Sequence, residues 1–265
     1  MAAASTQRRA NDGLWSRTDV VRRYTGSELR PVETVLLARH RDKLTGRVLE
    51  IGGGGGRLTG HLAEIAALVT AIDISPHMLA ALRERHPQVH TEERDLRDMG
   101  AYGDGSFEAV VAGFNIPDVL DHEERINLLD EIHRILSPGG MLIMSTHNRG
   151  AEHRITEPLR PQLRQPKQLA ALLVHGRRWR RNRRRLVPHE RRERDYSILN
   201  DVAHDFEALH YYIDRDAQER QLAAHGFDFV ECLDLDGEPV PPGAAATQAT
   251  ELHYVARTPP ATGSG

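Results

Sequence analysis

Val48-Leu49-Glu50-Ile51-Gly52-Gly53-Gly54-Gly55-Gly56-Arg57 is an apolar run that passes straight into five consecutive glycines. Glycines at such a junction allow positive φ and a close approach of backbone to ligand. A helix opening just after them offers free N–H groups to a polar or anionic group. A nucleotide-like ligand is implied. A dinucleotide fingerprint of the form G-x-G-x-x-G requires glycine at position 57 or 58, where this chain has Arg57 and Leu58. The loop is therefore of another kind.

On either side of this run, short β-rich segments alternate with helical patterns. Strands are expected at Arg47 to Ile51, Leu68 to Asp73, Gln88 to Glu92, Phe107 to Gly113 and Met141 to Thr146. Helices are expected near Arg57 to Ala66, Pro76 to Arg85 and His122 to Leu136, and an amphipathic helix from Pro31 is closed by Gly46. Ser75 is placed to cap a helix with Pro76 at its first position, and Pro138-Gly139-Gly140 to separate a helix from the next strand. Such alternation predicts an α/β fold: a Rossmann-like, doubly wound, mostly parallel sheet with its ligand at the carboxyl ends of the strands. After Thr146 the alternation lapses for about sixty residues, longer than a compact domain leaves without its own structure. It returns with a helix near Asp216 to Ala224, the stop signal Gly226, and strands at Phe227 to Leu233 and Leu252 to Ala256. The chain thus divides into a flexible tail (1–26), one domain (27–257) and a second tail (258–265). Residues 148–206 are an insertion, read as a mobile helical lid before the last helix and strands.

With 265 residues, 39% hydrophobic and 28% charged, the composition fits one large soluble domain. Cys232 is the single cysteine, so no intrachain disulfide forms. No basic-then-apolar leader and no spanning-length apolar stretch is present, which makes the cytoplasm the expected compartment. The net charge of −3 hides an asymmetry. Between Arg177 and Arg194 ten arginines face Glu190 and Glu193, a local +8 that leaves −11 on the rest of the chain. Arg177-Arg178-Trp179-Arg180-Arg181 and the arginines after it suit a solvated basic face, and an aromatic among arginines also fits stacking on nucleic-acid bases.

Glu50-x-Gly52-x-Gly54-x-Gly56 resembles the first motif of the class I S-adenosylmethionine-dependent methyltransferases. Asp73 ending the second strand, Asp95-Leu96 after the third, Phe107 to Val111 and Leu128 through Met144 resemble the later motifs in order. The resemblance is close over residues 30–147 and looser over 211–257; Gly53 replaces what is often cysteine or another small residue. It implies S-adenosylmethionine as cofactor, with Gly52, Gly54 and Gly56 against its methionine part and Glu50 orienting its ammonium. Asp73, with Ile74 beside it, would hold the ribose hydroxyls, and Asp95 and Leu96 the adenine. The activity implied is in-line methyl transfer to an oxygen or nitrogen atom.

For the acceptor side, Phe114-Asn115-Ile116-Pro117-Asp118 is only superficially similar to the Asn-Pro-Pro-Tyr motif of nitrogen methyltransferases, because Ile116 and Asp118 break it. Asn115 is read as a cofactor or pocket contact and Asp118 as a polar loop residue. His147, ending the fifth strand, is the candidate base, the alternative being a histidine that satisfies a strand-end carbonyl. Tyr24, Tyr211 and Tyr212 are candidate walls of the substrate pocket, and His122 a capping or surface residue. Among the fifteen histidines His86 and His90 are four apart, but Pro87 between them argues against a continuous helix that would pair them, and no catalytic metal is expected. A small-molecule or glycan-type acceptor is favoured over nucleic acid on overall charge. A cofactor-binding homologue without catalysis is the third reading.

Overall fold

Val48, Leu49 and Ile51 are all buried in β1 (Arg47–Ile51), a strand with a parallel neighbour on either edge. Strands covered on both faces read as continuous apolar runs rather than alternating ones. The computed structural model describes residues 6–11, 28–156 and 166–261, without the side chains of positions 6, 10 and 166–174. β2 (Leu68–Asp73), β3 (His90–Glu93), β4 (Phe107–Ala112) and β5 (Leu136–Asn148) complete a parallel sheet in the order β3-β2-β1-β4-β5. β10 (Glu251–Arg257) runs antiparallel along β5, and β9 (Asp228–Leu233) pairs with β10.

Alternate residues of these strands feed two separate cores. Leu49, Ile51, Val110 and Ala112 pack with α5 (His122–Ile135) and α8 (Arg215–Ala224) on one face. Val48, Val69, Ala109 and Val111 pack with α2 (Pro31–Arg39), α3 (Thr59–Ala63) and α4 (Pro76–Arg85) on the other. The result is the expected doubly wound three-layer arrangement. Ser75 caps α4 by accepting from Met78 N, and Asp121 and Glu124 form a reciprocal capping box at the start of α5. α3 is shorter than its sequence pattern, because the glycine loop and Arg57 stay in turn conformation.

Three expectations change. First, residues 6–11 are not tail but a short helix, α1 (Thr6–Asn11). The buried Gln7 Nε2 donates to Leu120 O at 2.7 Å, and Asn11 Nδ2 donates to Val119 O and Leu209 O, each at 2.9 Å. Amides that satisfy carbonyls leave no apolar period for sequence reading to find. Second, the sheet edge runs past 257: Thr258 N donates to Gly140 O and Gly139 N to Pro259 O, and β5 begins at Leu136, before Pro138-Gly139-Gly140. Third, the 148–206 segment is only partly helical, with α6 (His153–Thr156) and α7 (Pro166–Leu186). It also contains β6 (Arg191–Arg192) and β7 (Tyr196–Leu199), which form an antiparallel ribbon with β8 (His210–Ile213). β4 leaves β5 at Ala112, and β8 takes up the vacated lane by pairing with His147 and Asn148. Strands of two and four residues fall below what period-two alternation can reveal.

On α7, Arg177, Arg180, Arg181, Arg184 and Arg185 are exposed at helical spacing, a single solvent stripe. The opposite face is engaged: Trp179 Nε1 donates to Asp205 Oδ1 at 2.8 Å, Asn182 Nδ2 donates to Asp205 O, and Arg183 lies over the Phe206 ring. Trp179 is therefore turned inward and not presented for base stacking. No helix among the described residues is long and apolar enough to cross a membrane.

Candidate functional site

The glycine loop is held from beneath. Gly52 N and Gly53 N both donate to Ile72 O, at 2.8 and 3.0 Å, so the loop folds over the end of β2. Gly52 has φ +72°, and a Cβ there would meet Ile116 Cδ1 at 2.5 Å; backbone strain and contact both demand glycine. Asp73 receives Ser75 N on Oδ1 at 2.8 Å and Gly54 N on Oδ2 at 3.0 Å, which ties the loop to β2 and leaves each oxygen a free lone pair. Burial raises the Asp73 pKa against these two bonds. Glu50 is buried at the floor of the loop, with Oε2 accepting from Thr59 Oγ1 at 2.5 Å. Burial pushes its carboxyl up to about 7, in spite of the Thr59 bond and the Arg57 charge.

A cleft opens above this loop along the carboxyl edge of the sheet. One end is lined by Glu50, Gly52 to Gly55, Phe114 and Ile116. The other end is lined by Ile74, Asp95, Leu96, Val119 and Asn11, and both ends share Gly52, Asp73, Met78 and Ile116. Asp95 is gripped by Arg97 through Nε and Nη2, both at 2.8 Å. Glu50, Gly52, Gly54, Asp73, Ile74, Asp95 and Leu96 thus share one cleft. Gly56 does not line it: at φ +85° it lies under His86, whose Cδ2 a Cβ would meet at 2.8 Å, so its glycine serves packing against α4.

The acceptor-side residues fall elsewhere. Tyr24 lies outside the described residues. Asn115 is buried in the left-handed region (φ 57°), its N donating to Ser145 Oγ and its Nδ2 to Glu251 Oε2. Tyr211 and Tyr212 are wholly buried, because β8 is an interior strand, and neither lines the cleft above the glycine loop. The Tyr211 hydroxyl meets His122 Nδ1 at 2.9 Å and Gln221 Nε2 at 3.2 Å, and Arg125 lies over its ring. Tyr212 donates to Asp201 Oδ2 at 2.5 Å. His122 is half-buried at the start of α5 and stacks on Tyr196 with ring centroids 4.2 Å apart.

Asp118 is a fully buried hub, not a loop polar residue. Its Oδ1 accepts from Thr146 Oγ1 at 2.6 Å and from Arg125 Nη1 at 2.8 Å. Its Oδ2 meets His147 N and His147 Nδ1, each at 2.7 Å. Arg125, also fully buried, donates onward to Gln218 Oε1 at 2.7 Å and Gln221 Oε1 at 3.1 Å. One sequence signal did exist: Arg125 occupies the apolar stripe of α5 with Leu128, Leu129 and Ile132. His147 is partly exposed and packs against the rings of His210 and Tyr212, at 5.2 and 5.0 Å between centroids. Behind it, His210 Nδ1 and Asp201 Oδ2 are 2.7 Å apart. Burial would raise the Asp201 carboxyl, but His210, His147 and Tyr212 together hold it down at about 2.

Sheet and cleft define a Rossmann-like α/β fold with a cleft at the carboxyl ends of β1 to β4. Residues 48–140 match a family described as "Methyltransferase domain". A ubiquinone biosynthesis O-methyltransferase of Xanthomonas oryzae pv. oryzae is 34% identical over 126 residues, which cover 46% of this chain and 51% of that one. The chain spans about half the length of the curated relatives it matches. Among solved structures, the 1,6-didemethyltoxoflavin-N1-methyltransferase of Burkholderia thailandensis superposes with TM-score 0.61 at 17% identity, over 98% of this chain and 93% of that one. An S-adenosylmethionine-dependent methyltransferase of Clostridium acetobutylicum gives TM-score 0.59 at 10% identity, over 86% and 91% of the two chains. Residues 48–140 are thus similar to methyltransferase domains, and the fold around them is the one seen in solved S-adenosylmethionine-dependent methyltransferases.

Proposed function

We propose that this chain is a cytoplasmic enzyme that transfers the methyl group of S-adenosylmethionine to an oxygen or nitrogen atom of a small-molecule or glycan-type acceptor. The observation that carries the reading is the single cleft in which the glycine loop, Glu50, Asp73 and Asp95 converge. Asp73 would accept from both ribose hydroxyls on its remaining lone pairs, Glu50 would face the ammonium, and Ile74, Met78 and Leu96 would enclose the adenine with Asp95 at its rim. The Xanthomonas relative is named an O-methyltransferase and the Burkholderia neighbour an N1-methyltransferase, which supports both acceptor atoms. The inward-turned Trp179 speaks against nucleic acid as acceptor.

In the reaction, the acceptor's lone pair attacks the sulfonium methyl, the methyl–sulfur bond breaks, and S-adenosylhomocysteine leaves. The sulfonium is already a good leaving group, so the protein's share is orientation, exclusion of water and removal of the acceptor's proton. His147 is the group we assign to that proton. Asp118 engages its Nδ1, and Nε2 remains to accept. His147→Gln is expected to lower turnover by about 10²-fold or more with S-adenosylhomocysteine affinity unchanged. Steady-state rates beside calorimetry check this, and unaltered turnover would leave orientation alone as the protein's contribution.

Cofactor binding should also be linked to protons at Glu50. With its carboxyl near 7 in the free protein, a cationic ammonium beside it favours the ionised form, so binding below pH 7 must expel a proton. Affinity is expected to climb with pH up to about 7 and then level off, and Glu50→Gln should flatten the profile. The free protein shows the opposite sign. Between the ordinary value of 4.5 and about 7 the unfolded chain has already lost this proton, so the Glu50 contribution to stability falls as pH rises. Calorimetry at pH 6 in buffers of different ionisation heat measures the released proton.

The acceptor class is tested by incubating the protein and labelled methyl donor with fractionated extracts. Label is expected in small molecules or glycans. Label in a nuclease-sensitive fraction would replace the acceptor class, and binding without any transfer would indicate a non-catalytic homologue.

A further inference from the structure

His147 from β5, Asp201 from the loop after β7 and His210 from β8 converge behind the acceptor side. One nitrogen of each imidazole and one carboxylate oxygen lie within 4.8 Å of one another. Separation along the chain hides this grouping, which is why reading by spacing gives no metal. Asp201 and His210 are buried, whereas His147 keeps 18% of its side chain exposed. Asp118 takes Nδ1 of His147, fixing the ring and directing Nε2 away from itself. Carboxylates hold metal-binding imidazoles in this way. Tyr212 braces Asp201 by donating to Oδ2.

Charge points the same way. The Asp118 carboxylate is matched by Arg125, but among the described residues Asp201 has only imidazoles for cationic partners. A buried carboxylate in such surroundings calls for a cation, supplied either by a proton on His210 or by a metal ion.

We infer that His147, Asp201 and His210 bind one divalent transition-metal ion, with a fourth position open toward the exposed side of His147. Two imidazoles and one carboxylate suit zinc, cobalt or iron, not magnesium or calcium, which take oxygen ligands. Three protein ligands with an open position describe a site able to take water or an oxygen of the acceptor. The lone pair of His147 Nε2 serves either as ligand or as proton acceptor, so the loaded protein would not use His147 as base.

The test is a titration of untagged, chelator-stripped full chain with Co²⁺, without methyl donor, read by visible ligand-field absorption. One ion per chain is expected to give the intense bands of four- or five-coordinate cobalt and to be displaced by Zn²⁺. Loss of an outer partner costs about 10–100-fold in affinity, so removing a ligand in His147→Gln or His210→Gln should cost at least about 100-fold. His210→Gln risks misfolding; His147→Gln, at a partly exposed position and checked by far-UV circular dichroism, decides the matter. No saturable cobalt binding, or binding unchanged in folded His147→Gln, would overturn the inference and leave Asp201 and His210 as a proton-held pair. Because no methyl donor is present, that failure would leave the methyl-transfer reading standing.

Discussion

Asp73→Ala is expected to weaken S-adenosylhomocysteine binding by about 10²-fold or more. Two hydrogen bonds from ribose hydroxyls to a charged acceptor contribute roughly 1.5–3 kcal/mol each, and 1.4 kcal/mol is a factor of ten. The loss goes further than the ribose. Asp73 also receives Gly54 N and Ser75 N, so its removal frees the glycine loop at the point where the backbone must approach the cofactor. Asp73→Asn, which keeps one acceptor oxygen, should fall between the wild type and Ala. Calorimetric titration of the three proteins gives the order, and equal affinities across them would remove Asp73 from the site.

Arg125→Met should destabilise the fold by about 3–5 kcal/mol, because it strands the Asp118 carboxylate in a fully buried position. At roughly 2–4 °C per kcal/mol for a domain of this size, the midpoint of thermal unfolding should fall by about 10 °C. Replacing both partners is a different case. Asp118→Asn with Arg125→Met removes the stranded charge, and the double variant should be more stable than Arg125→Met alone. Denaturant unfolding of the cycle measures the coupling, and simple additivity would show that the two charges do not depend on each other. Asp118 also aligns His147 through Nδ1, so the single variants should lose turnover as well.

The half of the protein that carries the glycine-loop cleft was legible in its sequence because its signals are local. The glycine loop, Asp73 at the end of β2 and the cap at Ser75 each depend on residues within one turn or one strand end. Gly56 shows the limit of motif reading: its glycine answers to His86, a packing neighbour on the next helix, rather than to a ligand. The acceptor half depends on contacts distant along the chain. Asp118 reaches His147, Thr146 and Arg125 across the turn between β4 and α5, and no residue beside it hints at this. Tyr211 and Tyr212 lie in a strand of four residues with no polar alternation, so nothing in their neighbourhood marked them as interior. Gln7 and Asn11 are polar and near a terminus, yet their amides close carbonyls around Leu120 and Leu209. Sequence periodicity detects apolar burial; it misses burial achieved by hydrogen bonds.

Hydrogen–deuterium exchange of the full chain with and without S-adenosylhomocysteine locates the ligand directly. Slowed exchange is expected in peptides covering 50–58, 72–76 and 94–97, the loop and strand ends that line the cleft. Saturating ligand that leaves those three segments unchanged, or protects only segments remote from them, would contradict the assignment of the cleft to the cofactor.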